Sequence, residues 1–383
     1  MTSIIGVKKI QHPNGTQVMT FDTAGKISSN VSSTGNITTT GTVNTPSING
    51  GQIGGRRNII INGAMQVAQR STQVTSASGT GYFSIDRMKY YESSDVVATI
   101  EQVSDAPSGS GFEFSHKVTA TTADSSLGGT DLVCPLWYIV EKRDVDARLA
   151  YGTSSAKPIT MSFWIKSNVT GTYTISAYRS ATPARVQAQT YTISAANTWE
   201  FKTLTFLGDT AEAIDTDLNF YFNGLVGGNY DNTSTTSGWA TYDTGNWAGG
   251  HTATWGDTTN DTWQITGLQL EVGSQATPFE HRSFAEELTL CHRYCRSFTS
   301  LNFGRARDGD SYYGGGLIFN PPMRATPTLK SGATYTNNTG NAGTPGINSG
   351  QGPSADSIQL YNSGSSWTTN SFPKLTGIFE AEL

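Results

Sequence analysis

Between residues 159 and 222 the chain alternates apolar and polar positions with a period of two. In ITMSFWIKS, Ile159, Met161, Phe163 and Ile165 share one face, and Thr160, Ser162, Trp164 and Lys166 the other. That is the pattern of a strand with one buried side. GTYTISAY (Gly171 to Tyr178), FKTLTFL (Phe201 to Leu207) and LNFYF (Leu218 to Phe222) read the same way, each bounded by Gly, Asn or Asp. TWQITGLQLEV puts Trp263 and Ile265 on one face, then Leu268, Leu270 and Val272 after a phase slip at Gly267, which predicts a β-bulge. Many short alternating runs with turn residues between them, and no interleaved helical pattern, predict an all-β chain. The expected architecture is an antiparallel jelly-roll sandwich over residues 56–283, its strands starting near Asn58.

The period changes in SFAEELTLCHRYCRSF. Ser283 can cap a helix, with Glu286 three residues on, Glu287 in the first turn, and Arg293 and Arg296 near the far end. Phe284, Leu288, Cys291 and Cys295 make one stripe, flanked by Leu290, Tyr294 and Phe298, so one amphipathic helix is predicted over 284–298. Its broad apolar face must pack on the sandwich or on another chain. Residues 299–383 return to β character around a Gly/Asn/Ser-rich middle (Ser331 to Ser354), and LIFNPPMRATPTLK and LTGIFEAEL are the predicted strands of a small C-terminal β unit.

Upstream, from Thr23 to Gly55, a loose unit repeats in which Ile27, Val31, Ile37, Val43, Ile48 and Ile53 recur every four to six residues. One apolar residue per turn cannot offset the entropy of ordering a lone chain. Residues 28–55 are therefore either a flexible linker or a thin extended β shaft of several copies wound together, and the regular spacing favours the shaft.

Composition sharpens this picture. Only 14% of residues are charged, against about 25% in ordinary globular proteins, and 42 glycines among abundant Thr, Ser and Asn suit strands and turns. A net charge of -5 and a pI near 5.6 give no basic field for a phosphate backbone, so nucleic acid is excluded as a partner. Three cysteines (Cys134, Cys291, Cys295) cannot build a disulfide framework and fit folding in a reducing cytoplasm. No run of 18 apolar residues occurs, and no membrane insertion or signal-peptide export is expected.

Catalytic signatures are missing from the sequence. The five histidines fall in no HExxH spacing, and neither GxSxG nor a P-loop occurs. CHRYC places Cys291 and Cys295 four apart with His292 between them, which reads as a buried thiol stripe rather than a zinc site.

What stands out is Ser237 to Trp263, which holds four of the eight tryptophans (Trp239, Trp247, Trp255, Trp263) and no Leu, Ile, Val, Met or Phe. Trp263 opens a strand and is expected in the core. Rings set among short polar side chains offer stacking and hydrogen bonds together, as a sugar's C–H faces and hydroxyls require. Tyr230, Trp239, Tyr242, Trp247 and Trp255, with Asp243 and Asp257, are the candidate glycan contacts; burial within the sandwich or against a neighbouring subunit is the rival reading. The acids beside these rings, Asp243, Asp257 and Asp261, could form a glycosidase pair or simply serve turns. Asp231, Asp257 and Asp261 could hold calcium, although no EF-hand spacing supports it. No other cofactor is expected.

Four segments resemble the tail-fibre and related virion fibre proteins of tailed bacteriophages, especially those of marine and cyanobacterial phages. VKKIQHPNGTQVMTFDTAGKI (Val7 to Ile27) resembles their short virion-proximal module, placing virion attachment at residues 1–27; RRNIIINGAMQVAQRST (Arg56 to Thr72) is similar to the opening of their globular domain. ITGLQLEVGSQATPFEHRSFAEELTLCHRYC (Ile265 to Cys295) resembles the end of their carbohydrate-binding-module-like jelly roll and the helix after it, and PPMRATPT with the terminal FEAEL resembles their C-terminal unit. The resemblance implies a homotrimeric, non-enzymatic virion protein, assembled in the host cytoplasm and acting outside the cell. It would be held by its N-terminus to a tail or capsid protein and would bind host surface polysaccharide for adsorption. A non-recognising spacer or capsid-decorating fibre is the alternative, and a polysaccharide depolymerase a third. The shared motifs are structural, LQLEVG among them, so recognition residues do not carry over.

Overall fold

The structure is a computed structural model that describes residues 9–11, 17–20, 47–48, 51–52, 56–231, 237–302, 315–336, 342–343, 345–348, 350, 352–362 and 374–383. Met1–Pro46 forms a unit of its own, within which a hairpin of β1 (Lys9–Gln11) and β2 (Gln17–Thr20) is described. The second unit, Ser47–Leu383, opens with a hairpin of β3 (Ser47–Ile48) and β4 (Gly51–Gln52). Apart from these hairpins, the expected attachment module and shaft lie outside the described residues.

The sandwich is built from β5 (Gln73–Ala77), β6 (Gly81–Tyr82), β7 (Lys89–Glu92), β8 (Val97–Val103), β9 (Ser115–Thr122), β10 (Leu132–Val140), helix α1 (Lys142–Leu149), β11 (Ile159–Ser167), β12 (Gly171–Arg179), β13 (Arg185–Ile193), β14 (Glu200–Phe206), β15 (Leu218–Asn223), β16 (Leu225–Val226), β17 (Ala240–Thr241) and β18 (Thr262–Val272). Two antiparallel sheets result. An eight-stranded sheet has the order β17-β13-β12-β15-β10-β7-β6 with β16 also on β10, and a six-stranded sheet has the order β14-β11-β18-β9-β8-β5. This is the all-β, antiparallel, jelly-roll-like fold that the alternation predicts.

Inward positions do what the period of two demands. Ile159, Met161, Phe163 and Ile165 of β11 are fully buried against Tyr173 and Ile175 of β12, Phe220 and Phe222 of β15, and Leu136 and Tyr138 of β10. Trp263 joins them, as expected, and its indole N–H reaches the Tyr191 hydroxyl at 3.4 Å. The slip at Gly267 is also present: pairing of β11 with β18 shifts between Ser162 and Trp164, and Gly267 has φ +62°.

Among the described residues two helices stand where one is expected. The additional one, α1, buries only Val145 and Leu149 among charged neighbours and stops at Ala150 in the left-handed conformation. Two apolar residues are too few to set a readable period. The expected helix starts as predicted, with Ser283 Oγ accepting the Glu286 N–H at 3.2 Å, but α2 spans only Phe284–Cys291. The amphipathic stripe continues to Phe298 in sequence, yet from Cys295 the backbone leaves the helix for β19 (Cys295–Asn302) and pairs with β26 (Lys374–Glu380). Sheet pairing with a distant strand satisfies the same backbone groups and buries Cys295, so tertiary context wins over local pattern. All three cysteines are free and buried.

The C-terminal part continues through β20 (Gly315–Ile318), β21 (Thr328–Leu329), β22 (Thr334–Thr336), β23 (Ala342–Gly343), β24 (Pro345–Ile347), β25 (Ser357–Asn362) and β26. It has its own small core of Phe319, Met323, Tyr335, Leu360, Leu375 and Phe379. A buried ionic junction joins it to the sandwich. Arg70 pairs with Asp86 (3.3 Å), Glu380 (2.6 Å) and Glu382 (2.8 Å), while Arg87 pairs with Glu382 (2.6 Å) and lies over the Tyr294 ring at 3.7 Å. Among the described residues no helix is long and apolar enough to cross a membrane.

Candidate functional site

The outward phase of the eight-stranded sheet is aromatic as well. Trp137 of β10 and Tyr221 of β15 are cross-strand partners whose rings stack at 4.6 Å and 20°. Trp137 owes its outward side to a register shift after Cys134, across Pro135, which has no N–H to donate to the ladder. Tyr91 of β7 meets both rings edge-on at 6.2 Å. Tyr178, near the end of β12, approaches Tyr221 at 6.4 Å.

Residues 227–231 and 237–261 fold back over part of this face. Trp247 is their plug: the ring sits 4.8 Å from Tyr221 and 5.4 Å from Tyr178, Nε1–H donates to Asn223 Oδ1 (3.1 Å), and its carbonyl accepts from Ser176 Oγ (2.7 Å). Tyr242 adds a ring 5.3 Å from Tyr178 and 5.9 Å from Trp247. Asp243 caps the 3-10 turn Thr244–Asn246 by accepting the Gly245 N–H at 2.9 Å, which fixes the turn between Tyr242 and Trp247. Ala248 N–H donates to the Tyr230 carbonyl at 2.9 Å and holds Tyr230 beside them.

Between these elements lies a pocket of about 170 Å³ lined by Tyr91, Tyr178, Tyr221, Tyr230, Tyr242, Trp247 and Leu132. Five of its lining residues are tyrosines, and none of its lining side chains is charged. Burial, with neighbouring phenols adding to it, holds the Tyr178, Tyr221 and Tyr230 hydroxyls above the usual tyrosine range, so each remains a protonated donor that can also accept. The aromatic surface continues past the pocket to Trp137, where Lys89 Nζ sits 3.7 Å from the ring centroid. Such a surface suits a neutral ligand with apolar C–H faces and a rim of hydroxyls.

Of the residues predicted from sequence, the structure brings Tyr230, Tyr242 and Trp247 together, with Trp247 as wall rather than open platform. Trp255 is a correction: it is fully buried in the sandwich core, closely packed where Gly224 leaves room, since a Cβ there would lie 2.8 Å from Trp255 Cε3. Aliphatic neighbours absent from its own segment are supplied by distant strands. Trp239 lies elsewhere, edge-on to Tyr151 at 5.9 Å with its N–H on the Leu207 carbonyl, so it does not line the pocket. Asp243 shapes the turn, and Asp257 accepts from the Thr258 hydroxyl at 2.9 Å. Neither carboxylate lines the pocket.

The calcium set is not assembled either. Asp261 accepts the Gly256 and Thr258 N–H groups (3.0 and 3.3 Å), and Asp231 accepts the Gly250 N–H (3.1 Å). Among the described residues no group of three or more His, Cys, Asp or Glu could hold a metal ion. Sequence reasoning missed Tyr91, Trp137, Tyr178 and Tyr221. A signal was available for Tyr178 and Tyr221, which are outward-phase aromatics in strands whose inward phase is already apolar, whereas the side taken by Trp137 depends on the register shift.

Fold and pocket together define an antiparallel β-sandwich whose outer face carries an aromatic pocket with no charged side chain in its lining. No family model matches the sequence, and no curated protein matches it. Similar solved structures include the enzymatically active domain of tailspike protein 4 from bacteriophage CBA120 (13% identity, TM-score 0.32, covering 56% of this chain and 21% of that one). A family 4 carbohydrate-binding module is similar over 55% of this chain and 97% of its own (12% identity, TM-score 0.28). The family 11 carbohydrate-binding module of a cellulosomal cellulase of Clostridium thermocellum is similar over 54% and 100% (13% identity, TM-score 0.27). The chain spans about a fifth of the tailspike domain's length.

Proposed function

We propose that this chain is a non-enzymatic virion fibre protein that binds cell-surface glycan through the outer face of its eight-stranded sheet. The observation that carries the binding part is the pocket lined by five tyrosines and Trp247 without a charged side chain. At about 170 Å³ it is smaller than the ~300–1,000 Å³ typical of drug-sized ligands, so it fits one sugar ring of a chain that continues along the sheet toward Trp137. Glycoside hydrolysis requires two facing carboxylates, and the lining residues supply none. The fibre part rests on the four sequence segments and on the apolar spacing of residues 27 to 53, which favours several intertwined copies. In a trimer, weak single sites gain avidity by a factor of roughly 10² to 10⁴.

The test is adsorption of amine-labelled full-length chain to candidate bacterial host cells, before and after periodate oxidation, beside a Tyr178→Ala, Tyr242→Ala variant. Binding by the parent to untreated cells alone, lost in the variant, is the expected result. Equal binding to oxidised cells, or undiminished binding by the variant, overturns the glycan assignment. A folded parent that ignores every candidate host replaces it with the structural-spacer reading.

A further inference from the structure

On the outer face of the six-stranded sheet, away from the tyrosine pocket, lies a cleft of about 400 Å³. One wall is Trp164 and Phe201, cross-strand partners on β11 and β14 with ring centroids 5.4 Å apart. The other is Phe112 against Phe279 (4.8 Å, 82°), with His281 within 5.2 Å of both rings. Its floor is the β-bulge: a Cβ on Gly267 would lie 2.6 Å from Phe112 Cζ and 3.3 Å from Trp164 Cδ1, and the backbone there has φ +62°. Only glycine meets both conditions, and its missing side chain lets Phe112 pack directly onto the bulge beside Trp164. Phe201 is 49% exposed, an unusual position for a phenylalanine that serves only packing.

The chemistry of the lining narrows the ligand. No carboxylate, lysine or arginine is among the lining residues, and His281 is the one titratable side chain there. Ser110 Oγ donates to the Pro107 carbonyl (2.6 Å) and accepts from the Phe112 N–H (3.4 Å), and Thr277 Oγ1 donates to Glu271 Oε2 (2.7 Å) and accepts from Arg57 (2.8 Å), so both hydroxyls are largely spent within the protein. A ring with hydroxyls on every side would bury some of them unpaired between aromatic walls. A ring with an apolar edge would not.

We propose that this cleft is a second carbohydrate site, taking the methyl-bearing edge of a neutral 6-deoxyhexopyranose between Trp164 and Phe112. The proposal shares with the proposed function only the premise that this sandwich meets carbohydrate, and the two sites have no residue in common. Sites on both outer faces would let one domain engage two glycan branches.

The full-length chain is titrated with methyl α-L-rhamnopyranoside and methyl α-L-fucopyranoside, each beside its 6-hydroxy counterpart, methyl α-L-mannopyranoside and methyl α-L-galactopyranoside. Saturation-transfer NMR reads which ligand protons touch the protein. At least one deoxy sugar is expected to bind saturably, about fivefold or more tighter than its counterpart, with the largest transfer at the C6 methyl. Trp164→Ala and the exposed Phe201→Ser are each expected to weaken it about tenfold. Tyr178→Ala, Tyr242→Ala leaves it unchanged.

No saturable binding of either deoxy sugar, equal binding of the 6-hydroxy counterparts, or loss in the tyrosine variant with retention in Trp164→Ala overturns the proposal. A change of sedimentation mass on Trp164→Ala or Phe201→Ser also overturns it, because the cleft is then a subunit contact. Loss of cell adsorption in the tyrosine variant with deoxy-sugar binding intact separates the two sites. Cell adsorption that fails in the parent while deoxy-sugar binding persists sinks the proposed function alone.

Discussion

Truncating Tyr178 separates recognition from architecture. Its ring meets Tyr221, Tyr242 and Trp247 at 6.4, 5.3 and 5.4 Å, and it is only partly buried, so solvent can reoccupy the space that Tyr178→Ala creates. Aromatic pairs contribute about 0.5–1.5 kcal/mol each beyond area burial. Three edge contacts on a half-open surface therefore point to a loss of roughly 1–2 kcal/mol of stability, a melting shift of about 2–8 °C. Binding should suffer by a similar energy, because the same ring is one wall of the pocket: a weakening of about five- to thirtyfold. Tyr178→Phe keeps the wall and removes one hydroxyl, so it should lose only about threefold.

The assay must be monovalent, such as calorimetric titration of the chain with short oligosaccharides released from the surface polysaccharide of a cell that adsorbs it, since avidity on whole cells masks the change. An affinity for Tyr178→Ala within twofold of the parent, in protein that melts as a single folded species, would refute the assignment of this face.

Three further outcomes follow from the geometry. Glu382→Gln removes the charge that Arg70 and Arg87 share at 2.8 and 2.6 Å, leaving buried guanidinium charge underpaired, and should destabilise by about 3 kcal/mol in thermal melts. An unchanged melting point would mean the ionic junction does not hold the C-terminal part to the sandwich. Burial lowers the His116 and His251 imidazoles from 6.5 to about 4, so the folded state favours the neutral rings; the stability they contribute is complete above pH about 6.5 and is lost as pH falls through about 4. Asp86 has the opposite sign, raised by burial to about 6, so its contribution is lost as pH rises through that value. His251→Gln should flatten the acid limb of a stability profile, and an unaltered limb would remove His251 from this account. Finally, millimolar calcium or EDTA should leave the melting temperature where it was, because Asp231 and Asp261 spend their carboxylates on backbone N–H groups; a calcium-dependent shift of several degrees would refute that reading.

Local regularity made much of the sandwich legible. Period-two runs at β11, β12, β14 and β15 appear in the sequence because each strand must place every second side chain in one core, and the Gly267 slip survives because a bulge needs a residue that tolerates positive φ. The Ser283 cap is equally local. The end of α2 is not: the pattern that would continue it to Phe298 is overridden by pairing with β26, some eighty residues later in the chain.

The tryptophans mark the boundary between the two kinds of information. By itself the sequence determined an all-β chain, poor in charge and rich in turn residues, with aromatic rings gathered in one loop; those properties depend on neighbours one to four residues apart. Which rings face solvent was decided only by tertiary structure. Trp255 finds its apolar company on remote strands and disappears into the core, while Tyr91, Trp137, Tyr178 and Tyr221, scattered over 131 positions of sequence, are brought onto one face by the order in which the strands pair. Burial is a property of the packed sheets, and sheet order is set by long-range hydrogen bonding that no short window of sequence contains.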